Sequence, residues 1–176
     1  MNRILAVDPG IQGCGCAVFK DGTLQYANYV KNIGGDVLCC SMARSVDIWL
    51  WSFTCDLSEM DEIIMEYPKV YTQGHLKGDP NDLLPLAGVD AAIAMLSQCR
   101  SDASDRPKIT FYLPQEWKRQ VPKAIHHERI IAEMTELEKN VAPKQLPKSI
   151  LHNVYDAIGI GLFHLQRLNP KRVIAR

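Results

Sequence analysis

The stretch Arg3-Ile-Leu-Ala-Val-Asp8-Pro-Gly10 decides how the chain is read. Ile4, Leu5, Ala6 and Val7 form an apolar run of strand length, and an acid follows at once where Pro9-Gly10 turns the chain. A carboxylate set against a hydrophobic sheet is costly unless something pairs with it, and a metal ion is one such partner. The pattern returns at Glu62-Ile-Ile-Met-Glu66, and a third acid, Asp156, lies in a helical stretch near the C-terminus. Taken singly, each acid reads as a turn or cap residue. Three acids from distant segments, each beside an apolar element, point to a divalent-metal site.

Composition narrows the class. A chain of 176 residues is expected to form one domain over 1–176, long enough to bury a core without covalent staples. The six cysteines (Cys14, Cys16, Cys39, Cys40, Cys55, Cys99) contain no CxxC pair, and Cys14-Gly-Cys16 has no matching pair or histidine tract, which argues against structural zinc. They read as reduced thiols of a cytoplasmic protein, in a bacterial cell or a phage-infected host. No secretory signal fits the charged, structured start, and no apolar run reaches the 18 or so residues of a membrane span. The net charge is zero, so there is no global pull on nucleic acid. The charge is nevertheless uneven. Acids gather at Asp56, Glu59, Asp61, Glu62 and Glu66, and bases between Arg106 and Arg129 and from Lys144 to Arg176. Charge alone leaves DNA binding and plain solvated faces equally open.

Outward from the first strand, Gly15–Phe19 reads as a second strand, and Asp21-Gly22 as a hairpin turn into a third over Leu24–Val30. Asp36 is positioned to cap a helix over about 37–54, whose Leu38, Met42, Val46, Trp49 and Phe53 recur at helical spacing as a core stripe. Ile63-Ile64-Met65 reads as a strand covered on both faces. Residues 71–79 form a loop, and Asp79-Pro80 opens a helix through Leu84, Val89, Ile93 and Leu96. Lys108–Leu113 is a fifth strand. A basic segment, Gln115–His127, leads into a helix with Ile130, Ile131 and Met134, and Ser149 starts a long helix bearing Val154, Ile158 and Leu162.

This order, with acids closing the first and fourth strands and a last acid on the final helix, resembles the ribonuclease-H-like fold: an α/β protein with a five-stranded mixed sheet, three antiparallel strands then two parallel, flanked by helices. Within it the chain resembles the RuvC group of Holliday-junction resolvases. Ile4–Gly10 resembles that group's opening strand, Ile64-Met-Glu66 its second acid, and His152-Asn-Val-Tyr-Asp156-Ala-Ile158 its final helix. Lys77-Gly-Asp-Pro-Asn-Asp-Leu83, Trp117-Lys118 and Val121-Pro-Lys123 look like a phage and prophage branch. The resemblance implies a Mg²⁺-dependent endonuclease (Mn²⁺ as substitute) that resolves four-way or other branched DNA as a homodimer, leaving a 5′-phosphate and a 3′-hydroxyl. Asp8 would bridge two ions about 3.5–4 Å apart, with Glu66 and Asp156 holding one each.

One departure bears on activity. Where the group commonly carries an acid or histidine three residues before the last acid, this chain has Asn153. Both Asn153 and His152 share a helix face with Asp156, so either is a candidate ligand or proton donor; the plain alternative is a backbone hydrogen bond and a surface histidine. Lys118, Arg119, Lys123, His126, His127 and Arg129 are candidates to neutralise phosphates. Trp117 reads as a core anchor before a base-stacking residue, and His126-His127 as a leaving-group acid or a surface pair. Tyr71, His75 and Lys77, just after Glu66, are placed to touch a DNA strand or to form an ordinary loop. Asp79, Asn81 and Asp82 are read as capping and first-turn residues rather than ligands. Two other functions stay open: a DNA-binding or packaging protein disabled by Asn153, and an actin-like phosphate-binding ATPase or sugar kinase. The last ordinarily needs two such domains.

Overall fold

The computed structural model describes residues 2–53, 55–69, 80–102, 104–119 and 121–169. Five strands, β1 (Arg3–Asp8), β2 (Gly13–Lys20), β3 (Thr23–Lys31), β4 (Glu62–Glu66) and β5 (Lys108–Tyr112), form one sheet in the order β3-β2-β1-β4-β5. β1 pairs antiparallel with β2 and β2 with β3, whereas β4 runs parallel to β1 and β5 parallel to β4. The mixed five-stranded sheet is therefore the expected one. Asp21 and Gly22 take positive φ (50° and 81°), as a two-residue hairpin turn requires.

Side chains alternate across a strand, so β1 and β4 feed two cores. Ile4, Ala6 and Ile64 pack with Phe19, Trp117 and Ile158 on one face, while Leu5, Val7, Ile63 and Met65 pack with Met42, Val46, Val89 and Ile93 on the other. Helices α1 (Leu38–Trp51) and α2 (Pro80–Arg100) cover the second face. The first is covered by α6 (Lys148–His164), with α4 (Lys123–Glu133) against it, while α5 (Glu136–Val141) packs on β3. The short α3 (Pro114–Trp117) follows β5. α6 lies so close to β2 that a Cβ on Gly15 would meet the Asn153 carbonyl at 1.9 Å. That close approach brings the helix's acid-bearing turn down beside the end of β1.

Several local expectations change. Asp36 does not cap α1: Val37 holds the N-cap position with no side-chain hydrogen bond. Within α1 the buried stripe is Met42, Val46 and Leu50, while Leu38 points to solvent. Leu84, expected inside, is 70% exposed, and the inner stripe of α2 carries Asp90 beside Val89 and Ile93. The basic segment is not one connector, because Trp117 ends α3 and His126, His127 and Arg129 already belong to α4. Asp79 lies outside the described residues, so its capping role does too. All six cysteines are free thiols. Among the described residues no helix is long and apolar enough to cross a membrane.

Candidate active site

Strand alternation also decides where the acids point. Asp8 continues the Ile4–Ala6 side of β1, and Glu66 continues the Ile64 side of β4, so both face α6. The paired strands advance in parallel, with Val7 opposite Met65, and each acid is the next residue. From above, α6 presents Asp156, and the three carboxylates line one cleft of about 400 Å³ with Lys118, Lys123, His152 and Asn153. The sequence thus named every polar wall of this cleft except Lys69.

The electrostatics are those of a negative centre partly compensated by the Lys118 ammonium and, more weakly at Asp8, by Lys123. Burial, then the charges of Asp156 and Glu66, push the Asp8 carboxyl well above the usual range. Burial also raises Glu66, though Lys118 opposes it. For Asp156 burial acts upward, yet the neighbouring His127 and Lys118 outweigh it and hold the group below its ordinary value. Lys118 Nζ stands 2.8 Å from Glu66 Oε2 and 3.5 Å from Asp156 Oδ2, and despite burial these acids raise its pKa. His127 Nε2 lies 3.6 Å from Asp156 Oδ1, beyond hydrogen-bond length, and neither atom has a hydrogen-bond partner. Among the described residues no three His, Cys, Asp or Glu side chains are already drawn together as a metal cage. The donor set nevertheless suits a hard cation. It comprises three carboxylates and an asparagine, with one buried carboxylate oxygen unsatisfied.

The expected DNA-contacting residues divide. Lys123 is exposed on the cleft wall, and Arg119 is exposed just after α3 in a left-handed conformation (φ 55°). His126 is buried with neither ring nitrogen hydrogen-bonded, its ring edge-on to Trp117, and burial lowers its pKa to about 4. Arg129 is also buried and donates to the Asn169 carbonyl. Neither His126 nor Arg129 can meet a phosphate in this arrangement, which corrects that expectation; helical spacing turns both inward with Ile130. His127 faces Asp156 rather than solvent. Tyr71, His75 and Lys77 lie outside the described residues. Two features escaped the sequence reading. Trp117, fully buried, donates its indole N–H to Glu66 Oε2 at 2.9 Å. Asp90 is buried without a partner on the α2 face of the sheet, where burial and then Glu66 raise its carboxyl to about 8.

Neither a protein-family model nor a curated protein sequence matches the chain. Solved structures do. Thermus thermophilus RuvC in complex with a Holliday junction substrate superposes with a TM-score of 0.62 at 15% identity, covering 97% of this chain and 98% of that one. This chain has the fold of RuvC. A second structure of Thermus thermophilus RuvC gives a TM-score of 0.53 at 16% identity over 92% of each chain. The yeast mitochondrial Holliday junction resolvase Ydc2 gives 0.59 at 11% identity, over 95% of this chain and 82% of its own. At these identities the RuvC likeness speaks for the fold, and the chemistry rests on the cleft.

Proposed function

We propose that the chain is a divalent-metal-dependent endonuclease of branched DNA that cuts four-way junctions by phosphodiester hydrolysis, leaving a 5′-phosphate and a 3′-hydroxyl. One observation carries the reading. Asp8, Glu66 and Asp156 come from three separate elements into one cleft, with a buried carboxylate oxygen left unsatisfied. The fold is that of a protein whose solved structure is a complex with a Holliday junction substrate.

Asp8, Glu66 and Asp156 would hold Mg²⁺, or Mn²⁺ in its place, with the Asn153 amide as a neutral oxygen donor. When bound, such ions activate a water and neutralise charge on the attacking and leaving oxygens. His152 stays neutral at pH 7, because partial burial and then Lys123 lower its pKa, so it offers an imidazole rather than a charge. Lys118 balances the acids in their absence, and when a cation takes those oxygens its ammonium is free to turn to a phosphate. Lys123 and Arg119 position the DNA backbone without reading bases.

Paired cuts across a junction require two sites, and α2 supplies a face for a homodimer. Its inner stripe serves the core, while Leu84 and Met95 stay 70% and 66% exposed. Beside Met95, an apolar groove of about 390 Å³ runs between α1 and α2. Met95→Glu should convert a sedimenting dimer to monomer.

Asn153 and the Lys118 ammonium between two acids favour a second reading, a DNA-binding protein without cleavage. A panel of labelled four-way junction, flap, duplex and single strand, with Mg²⁺ or Mn²⁺, separates the two. Metal-dependent paired nicks in the junction are the expected result. Cutting of flaps or single strands instead keeps the chemistry and changes the substrate. Tight junction binding with no cutting in either metal overturns the nuclease.

A further inference from the structure

Glu66 is gripped by consecutive residues of very different character. Lys118 reaches it with a long, rotatable chain, at 2.8 Å to Oε2 and 3.2 Å to Oε1. Trp117 reaches Oε2 at 2.9 Å with an indole N–H, which can only donate and cannot change charge. The tryptophan is fully buried. The start of α3 is tied where Glu116 Oε2 accepts the Leu113 N–H at 2.6 Å, and the helix closes with the Lys118 N–H on the Pro114 carbonyl. His126 packs against the ring at 4.9 Å between centroids. On the other side α6 comes so near that a Cβ on Gly159 would lie 2.8 Å from Trp117 Cζ3 and 2.7 Å from Ile130 Cδ1. Gly159 sits three residues beyond Asp156, on the same face of the helix.

We propose that Trp117 is the positioning residue of the acid centre: packed on the helix that carries Asp156 and bonded to Glu66, it sets the separation of the two acids and holds Oε2 so that Oε1 is turned to a bound cation. The inference rests on the metal-binding reading above. No direct sign of it is legible in the sequence, since a buried tryptophan among apolar neighbours reads equally as filling. The bond matters more than its length alone suggests. A carboxylate facing two others is repelled by them, and a glutamate side chain with three torsions would otherwise swing away. Outer partners of this kind change metal affinity roughly 10- to 100-fold when removed.

The test reads Mn²⁺ binding through the electron paramagnetic resonance of the free ion, with no DNA and no turnover. It compares wild type, Trp117→Phe, Glu66→Gln and the double variant. Wild type should bind Mn²⁺, and Trp117→Phe should bind it at least about tenfold more weakly. In the Glu66→Gln background, the tryptophan change should have no further effect, because its action runs through that carboxylate. The Trp117 indole N–H resonance, assigned by its loss in Trp117→Phe, should shift in Glu66→Gln. Should Trp117→Phe not fold, benzothienylalanine at position 117 keeps the bicyclic shape without the N–H and should reproduce the loss. Unchanged Mn²⁺ affinity on removal of the N–H, or an equal loss with and without Glu66, overturns the positioning role while leaving the metal site standing. Absence of Mn²⁺ binding in the wild type removes the metal reading and this inference with it.

Discussion

Glu138 and Asp156 are both buried carboxylates, and the fold treats them in opposite ways. Glu138 has every lone-pair direction answered: Oε1 accepts from the Leu24 N–H at 2.9 Å, Oε2 from the Thr135 N–H at 2.8 Å, and Arg167 donates to each oxygen at 2.6 Å. Burial would raise its pKa, but Arg167 and the two backbone donors hold it down at about 2. Asp156 has the Lys118 ammonium at 3.5 Å on one oxygen and, on the other, only the His127 ring at 3.6 Å, beyond hydrogen-bond length; these two neighbours hold it below its ordinary value, while its charge helps push Asp8 upward. A satisfied buried charge ties elements together, here α5, β3 and the segment after α6. In the cleft the repulsion falls on Asp8, which burial and the charges of Asp156 and Glu66 push upward, and a cation would relieve it. The difference separates architecture from site more clearly than charge or burial alone.

Glu138→Gln gives the sharpest test of the satisfied half. It leaves the half-buried Arg167 without its charge partner and should cost about 1–3 kcal/mol in denaturant unfolding. The sign with pH follows from the depressed value. The contribution is whole above the usual carboxylate pKa of 4.5 and drains away as pH falls towards 2, so the variant should lose that slope. Junction cutting per folded molecule should not change. Equal stability of variant and wild type at pH 7 would break the contrast.

Asp90 belongs with the unsatisfied kind: it is buried on α2 without a hydrogen-bond partner, and Glu66 is near enough to push it upward. Its pKa is raised from 3.8 to about 8, so the folded state holds the proton more tightly and stability falls as pH rises between those values. Asp90→Asn should therefore stabilise by about 2–4 kcal/mol at pH 8 and by almost nothing near pH 4. Thermal melts across that range decide it, and destabilisation at pH 8 would mean the carboxylate has a structural partner. The smallest effect belongs to exposed Lys123. Lys123→Ala should weaken junction binding a few-fold and reduce the slope of log K against log salt by about one. An unchanged slope would remove Lys123 from the DNA-binding surface.

Much of this was legible in the sequence because it rests on period and order. Apolar runs ending in Asp8 and Glu66 gave the strands, and alternation within them sends both acids to one face. The helical spacing of His152, Asn153 and Asp156 gave the third wall. Direction was less legible wherever it depends on packing between elements. Residues Lys118 to Arg129 read as one basic surface, but α4 turns His126 and Arg129 into the core, and Lys118 bends back to the acids. Asp36 has the chemistry of a cap without the geometry, since α1 begins two residues later. Trp117 was identified as a core residue, yet its N–H bond depends on where β4 ends relative to α3. Asp90 breaks the rule that an acid on a core stripe has a partner, and spacing alone does not reveal that.

Asp8→Asn tests the central claim most directly, because it removes the charge that the other acids repel while keeping the shape. The variant, mixed with a labelled four-way junction in Mg²⁺, should bind it as the wild type does and cut no strand; without divalent cation it should melt at a higher temperature than the wild type. Mg²⁺-dependent nicking by Asp8→Asn at the wild-type rate would contradict the account, since the chemistry would then not reside in the acid centre.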